Sequence, residues 1–307
     1  MAEPSADDIF ARVARRIDPR SRLLRAWELT GGVSARVTAL EIELPGGHRQ
    51  KLLVRQHGAA DLERNPRIAA DEFRLLQLLH AAGVAAPRPH YLDQSGEIFA
   101  TPYVVIEYIE GEPALAPADA ANAVLQLATH LARIHAVDRA RLDLSFLPRQ
   151  EATIAQRLRE RPARLDESLA EGRIRDALEA AWPLPQRNAP VLLHGDFWPG
   201  NTLWRDGRLV VVIDWEDAAL GDPLADLANG RLEILWAFGL EATQRFTRHY
   251  TSLAAVDLID LPYWDLCAAL RPASKLGRWG LDERTEQAMR AGHSLFVAQA
   301  FEHLATR

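Results

Sequence analysis

Apolar and polar positions alternate in short runs along the first third of the chain, the period of two that marks half-buried strands. Residues 26–30 and 33–44 read as strands around a Gly31-Gly32 turn, and Pro45-Gly46-Gly47 supplies turn chemistry before a third strand at 50–56. A helix is predicted next, with Asn65 as N-cap, Pro66 at its first position and Gly83 just past its end. Its apolar residues Ile68, Phe73, Leu75, Leu76 and Leu79 fall at roughly helical spacing. The run Tyr103-Val104-Val105-Ile106 reads as a buried strand. A polar breaker, Glu110-Gly111-Glu112-Pro113, marks a boundary, dividing the chain into residues 1–109 and 110–307.

Beyond the breaker the period changes to that of helices. Residues 120–137 form one amphipathic stretch and about 165–182 another. Two short apolar runs, 191–193 and 209–213, interrupt the helices and flank an Asp206-Gly207 hairpin turn, and helices resume from about residue 224. The sum is an α+β chain: a small β-rich lobe, then a larger, mostly helical lobe with a hairpin set into it.

Composition narrows the class. Of 307 residues 48% are apolar and 25% charged, which excludes collagen, disorder and a disulfide scaffold. The single Cys267 has no internal partner, and no apolar run approaches the ~20 residues of a membrane span. The first residues lack the apolar stretch of a secretion signal, so a cytoplasmic protein without a membrane partner is expected. Net charge is −6; residues 1–106 carry 14 Lys+Arg against 13 Asp+Glu, and the rest carry 22 against 29. That argues against nucleic acid as partner and is compatible with a cationic substrate, a metal, or a plain solvated acidic surface.

The hairpin region holds the chemistry. It reads His194-Gly195-Asp196-Phe197-Trp198-Pro199-Gly200-Asn201, then Ile213-Asp214-Trp215-Glu216. Polar groups at the ends of apolar strands are expensive to bury unless paired, and a divalent cation would pair them. Mg²⁺ takes oxygen ligands, commonly one or two carboxylates plus substrate phosphates. Taken singly, Asp196, Asn201 and Asp214 are ordinary turn residues; together they suggest a base, an amide metal ligand and a carboxylate metal ligand.

This segment, followed by Gly221-Asp222-Pro223 and Asp226-Leu227-Ala228, resembles the aminoglycoside phosphotransferase/choline kinase family, which has a bilobal protein kinase-like fold. The resemblance runs from about residue 29 to 228. It implies Asp196 as the catalytic aspartate, Asn201 and Asp214 as Mg²⁺ ligands, and Asp226 as a brace for the catalytic loop. His194 is either a loop-orienting or a satisfied structural histidine, and His135 reads as structural. Thr30-Gly31-Gly32-Val33-Ser34 resembles the family's glycine-bearing phosphate loop, in which Gly31, Gly32 and Ser34 would face phosphate oxygens.

The resemblance also implies a strand-three cation paired with a helix glutamate. Glu72 fits the glutamate; the strand position is Arg55, not lysine. Lys51, four residues earlier, lies about 13 Å away along the strand, too far for that role. Arginine keeps the charge and adds a fork suited to phosphate. Residues 105–109 resemble the hinge, where the backbone of Glu107 and Ile109 would bond the purine of ATP or GTP. The expected reaction is γ-phosphoryl transfer to a hydroxyl of a small molecule such as an aminoglycoside, amino-alcohol or sugar. Rival readings are a non-catalytic nucleotide-binding protein, a protein kinase, and a metal-dependent phosphohydrolase. No Asp-Phe-Gly or Ala-Pro-Glu motif is present for the second. Glu216, Asp217, Asp265 and Asp282 offer carboxylates for an aminated acceptor; Arg271, Lys275, Arg278 and Trp279 offer an anionic or aromatic one a partner.

Overall fold

The computed structural model describes residues 6–29 and 35–306. It divides into two compact units: residues 1–110 with 211–216, and residues 111–210 with 217–307.

In the first unit, helix α1 (Ala6–Ile17) precedes strands β1 (Arg22–Glu28), β2 (Ala35–Glu43) and β3 (Arg49–His57). Helices α2 (Ala59–Arg64) and α3 (Ile68–Ala81) follow, then strands β4 (Pro89–Asp93) and β5 (Tyr103–Glu107). The strands form one antiparallel sheet in the order β1-β2-β3-β5-β4. Side chains on a strand alternate between faces. One face therefore carries Leu40, Ile42, Leu52, Val54, Tyr103 and Val105, which bury against Phe10, Val13 and Ala14 of α1. The other carries Leu53, Arg55 and His57, of which Leu53 and Arg55 lie in register with Ile106 and Val104. Turn chemistry closes the β2–β3 hairpin: Gly46 and Gly47 both have positive φ, 92° and 81°.

The sequence expectation misplaced three features here. Asn65 is not the N-cap of α3, a position taken by Arg67; it is the C-cap of α2, its side chain accepting from Arg67 N (3.0 Å) and donating to Asp71 (3.0 Å). Helix α1 and strand β4 were not among the expected elements. The predicted stop at Gly83 stands where expected, with φ +72° and Val84 N donating to Leu79 O at 3.0 Å.

The second unit is mainly helical: α4 (Ala120–His135), α5 (Gln150–Arg159), α6 (Glu171–Ala181), α7 (Leu224–Phe238), α8 (Leu240–Leu253), α9 (Leu261–Ala269) and α10 (Glu283–Ala305). Asp119 caps α4 by accepting from Asn122 N, and Val124, Leu127, Ala128, Leu131 and Ile134 form its buried stripe. Helix α4 packs on α8, and α7 on both α8 and α9. The helix expected over 165–182 is broken: Ala170 adopts the left-handed conformation (φ 53°), separating a 3₁₀ turn at 167–169 from α6.

The apolar run at 191–193 is not a strand of the Asp206-Gly207 hairpin. That run, β6 (Val191–Leu193), pairs antiparallel with β9 (Ala219–Gly221). The hairpin joins β7 (Thr202–Arg205) to β8 (Arg208–Val212). Asp206 and Gly207 both have positive φ (51° and 71°), as a two-residue hairpin turn requires. Among the described residues no helix is long and apolar enough to cross a membrane.

Candidate active site

The loop between β6 and β7 is tied down by one carboxylate. Asp226, in the first turn of α7, accepts from His194 N (2.6 Å) and Gly195 N (2.9 Å). His135 Nε2 lies 3.3 Å from the same carboxylate, and its Nδ1 lies 2.7 Å from the Tyr250 hydroxyl. Burial pushes the Asp226 carboxyl up, but its contact with His135 and the backbone N–H groups of the loop outweigh it, and the group sits below the usual range. His194 is fully buried, its Nδ1 accepting from Asp196 N at 3.2 Å. Accepting there places its proton on Nε2, so the histidine orients the loop. Gly195 completes the turn with φ +84°, and a β-carbon there would stand 1.9 Å from Asp217 O. Only glycine fits.

Asp196 is held from two sides. Asn201, in the 3₁₀ turn before β7, donates through Nδ2 to Asp196 O (2.9 Å) and Oδ2 (3.1 Å). Arg271, just after α9, donates to Asp196 Oδ1 (2.5 Å) and to Gly195 O (2.6 Å). With its NH₂ spent on Asp196, the Asn201 amide has its carbonyl oxygen left to offer, the donor a hard cation takes. The sequence reading set Arg271 among possible substrate contacts and missed its grip on Asp196. Its distance of 75 residues along the chain hides that pairing from any local motif.

A charge cluster occupies the first unit. The buried Arg55 donates through Nη2 to Asp214 Oδ1 (2.6 Å) and Glu216 Oε2 (2.5 Å). Its Nε lies 3.7 Å from Glu72 Oε2 of α3, which also has His57 Nε2 at 2.9 Å. Burial pushes the Arg55 guanidinium down, but the three carboxylates of Glu72, Asp214 and Glu216 outweigh it and raise it. Burial likewise pushes Glu72 up, and Arg55 and His57 bring it below its usual range. Arg55 Nε, both His57 nitrogens and Glu72 Oε2 are nonetheless buried without a well-aligned hydrogen bond. Polar groups left so are rare in structural cores and concentrate at functional sites. Asp214 itself has φ 68°, a conformation that aspartate tolerates better than most residues. His57 and Glu216 were not singled out as partners of Arg55, although His57 lies two residues along the same strand face.

The hinge candidates sit at the end of β5. Glu107 N is committed to Arg88 O at 2.8 Å, so a base contact at this residue falls to its carbonyl. Tyr108 packs edge-on against Trp27 (6.0 Å between centroids), and Lys51 lies 5.4 Å over the Tyr108 ring while pairing with Glu110. Ile109 follows in the loop after the strand. Gly31, Gly32 and Ser34 lie outside the described residues. Among the described residues no group of three or more His, Cys, Asp or Glu side chains forms a protein-only metal cage.

Most carboxylates suggested for an aminated acceptor are already committed. Asp265 is buried in a two-point pair with Arg231 (3.0 and 3.1 Å), Asp282 caps α10 through Thr285 N (3.0 Å), and Glu216 holds Arg55. Trp215 and Trp264 are packed in the core.

The fold is that of kinase-like phosphotransferases. The solved GDP complex of aminoglycoside 2′-phosphotransferase-IIIa superposes with a TM-score of 0.64 over 98% of both chains at 18% identity. Macrolide 2′-phosphotransferase MphH from Brachybacterium faecium gives 0.62 over 94% of this chain and 98% of that one at 19% identity. The chain belongs to the phosphotransferase enzyme family APH, whose model matches residues 27–273. Viomycin phosphotransferase of Streptomyces vinaceus is 31% identical over 224 residues, 69% of this chain and 76% of that protein. Acyl-CoA dehydrogenase family member 10 of Mus musculus is 29% identical over 195 residues, 58% of this chain but only 18% of that protein. The chain thus spans only 18 to 26% of the length of the acyl-CoA dehydrogenase family members that it matches.

Proposed function

We propose that the protein transfers the γ-phosphoryl group of ATP or GTP to a hydroxyl of a small molecule. The observation that carries this reading is Asp196, presented on a loop whose backbone is clamped by Asp226 and whose carboxylate is fixed by Asn201 and Arg271. Such a carboxylate accepts or orients the acceptor's proton as its oxygen attacks phosphorus; the P–O bond to the nucleoside diphosphate breaks and the diphosphate leaves. Phosphoryl transfer asks a protein mainly for position and charge, and that is what these contacts provide.

Asn201 and Asp214 are the residues we propose for Mg²⁺. Each offers an oxygen: the amide carbonyl of Asn201, and the carboxylate of Asp214 at its left-handed position after β8. When bound, the ion would neutralise phosphate charge. Arg55, steered by Glu72, is the proposed phosphate cation, with Glu107 and Ile109 at the purine. Two similar aminoglycoside phosphotransferases, one solved with GDP and kanamycin and one with AMP-PNP and hygromycin B, support a nucleotide and a hydroxylated acceptor.

The test is Asp196→Asn. Steady-state turnover should fall by roughly 10²–10⁴ while nucleotide affinity, measured by titration calorimetry, stays within a few-fold. Full turnover in the variant would remove Asp196 from the role of base.

A further inference from the structure

Two donors compete for one oxygen in the charge cluster of the first unit. Arg55 Nε stands 3.7 Å from Glu72 Oε2, and His57 Nε2 stands 2.9 Å from the same atom. A carboxylate only accepts, so the imidazole carries its hydrogen on Nε2 where it faces Glu72. The other ring nitrogen, Nδ1, lies 3.8 Å from Glu216 Oε2, the oxygen that also takes Arg55 Nη2. His57 thus adjoins two of the three acids around the arginine, one on α3 and one in the segment after β8.

The His57 side chain is fully enclosed and that of Glu72 is 3% exposed. An imidazole shut away from water costs free energy that an apolar side chain of similar size would not, so packing alone does not account for it. None of Arg55 Nε, His57 Nε2 and Glu72 Oε2 completes a well-aligned hydrogen bond. The nearer donor nevertheless has the stronger hold, so Glu72 belongs to His57 first and to Arg55 second.

That division matters for the arginine. Its Nη2 is spent on Asp214 and Glu216, while Nη1 makes no hydrogen bond among the described residues. Nη1 is the part of the fork left for a phosphate oxygen. Without His57, the buried Glu72 charge would fall to Arg55 and draw the guanidinium toward α3. From these contacts, and resting on the reading of Arg55 as the phosphate cation, we infer that His57 is a positioning residue, which holds Glu72 and so keeps the Arg55 fork turned to the nucleotide's phosphates.

The experiment compares His57→Asn with His57→Gln in the full chain. Glutamine is long enough to bring an amide donor to Glu72; asparagine ends near the place of Nδ1 and falls short of it. ATP binding in the presence of Mg²⁺ is measured by titration calorimetry, adenosine binding by displacement of ATP, and folding by circular dichroism. His57→Asn should weaken ATP by about 3- to 30-fold and adenosine by less than about twofold, and His57→Gln should recover most of the ATP affinity. In a Glu72→Gln background His57→Asn should have no further effect, because the coupling runs through that carboxylate. Unchanged ATP affinity in His57→Asn would overturn the inference, and an equal loss for ATP and adenosine would do so by marking a packing role. A glutamine variant no better than asparagine, or a full loss that persists in the Glu72→Gln background, would overturn it as well. All these outcomes leave phosphotransfer standing, since the wild-type protein still binds ATP. Wild-type protein that binds no ATP would overturn the phosphotransfer reading and this inference together.

Discussion

Gly195 shows how much one missing methyl group decides. Its φ of +84° costs an L-residue on its own account, and the β-carbon would overlap Asp217 O at 1.9 Å, a backbone atom that cannot rotate away. Gly195→Ala is expected to destabilise the fold by roughly 2–4 kcal/mol and to displace Asp196, which follows it directly. Urea unfolding measures the first effect and kcat the second. A change under about 0.5 kcal/mol would show that the loop yields where the backbone says it does not. Asp196 and Arg271 are similarly interdependent, because removing either leaves the other charge without its nearest partner.

At the scale of elements, helix α7 clamps the loop by presenting Asp226 from its first turn to two backbone N–H groups. The native carboxyl lies below its ordinary value of about 4, so the unfolded chain binds the proton more readily. Its stabilisation is therefore complete above about pH 4 and is lost as pH falls from there toward the depressed native value. Asp226→Asn should cost roughly 2–4 kcal/mol at pH 7, since the amide cannot accept in place of both carboxylate oxygens. Denaturant titrations of both proteins should show that gap narrowing below pH 4; a gap unchanged with pH would assign the effect to packing.

The same contrast explains what the chain reveals of itself. The loop at 194–201 and the turn at Asp206-Gly207 are contiguous, and their residue types state their own geometry. Arg55 and Glu72 were also readable, one from its strand and the other from its helix. Helix α1 was not, because its arginines mask the buried positions Phe10, Val13 and Ala14. The partner of residues 191–193 was misassigned because three apolar residues carry no record of which strand they join; the answer, 219–221, lies across a hairpin. The grip of Arg271 on Asp196 escaped for the same reason, since it joins residues 75 apart in sequence.

For the whole molecule, the single Cys267 reports on opening. It is buried on α9, and burial pushes its thiol up to about 12, so almost no thiolate exists at neutral pH in the native state. A thiol reagent should modify it only through unfolding of the second unit. The native labelling rate should be slowed by the factor that circular dichroism gives for the unfolding equilibrium. Labelling at the rate of a free thiol would show that α9 detaches without the rest.

The first unit is completed by residues 211–216, encoded a hundred residues after the rest of it. On the ribosome, the sheet emerges early with Arg55 already placed among apolar strands, yet Asp214 and Glu216 have not been made. Until then Glu72 is the one of the three carboxylates that can face Arg55, so the charge cluster of the first unit is completed only after about half of the second unit has been synthesised.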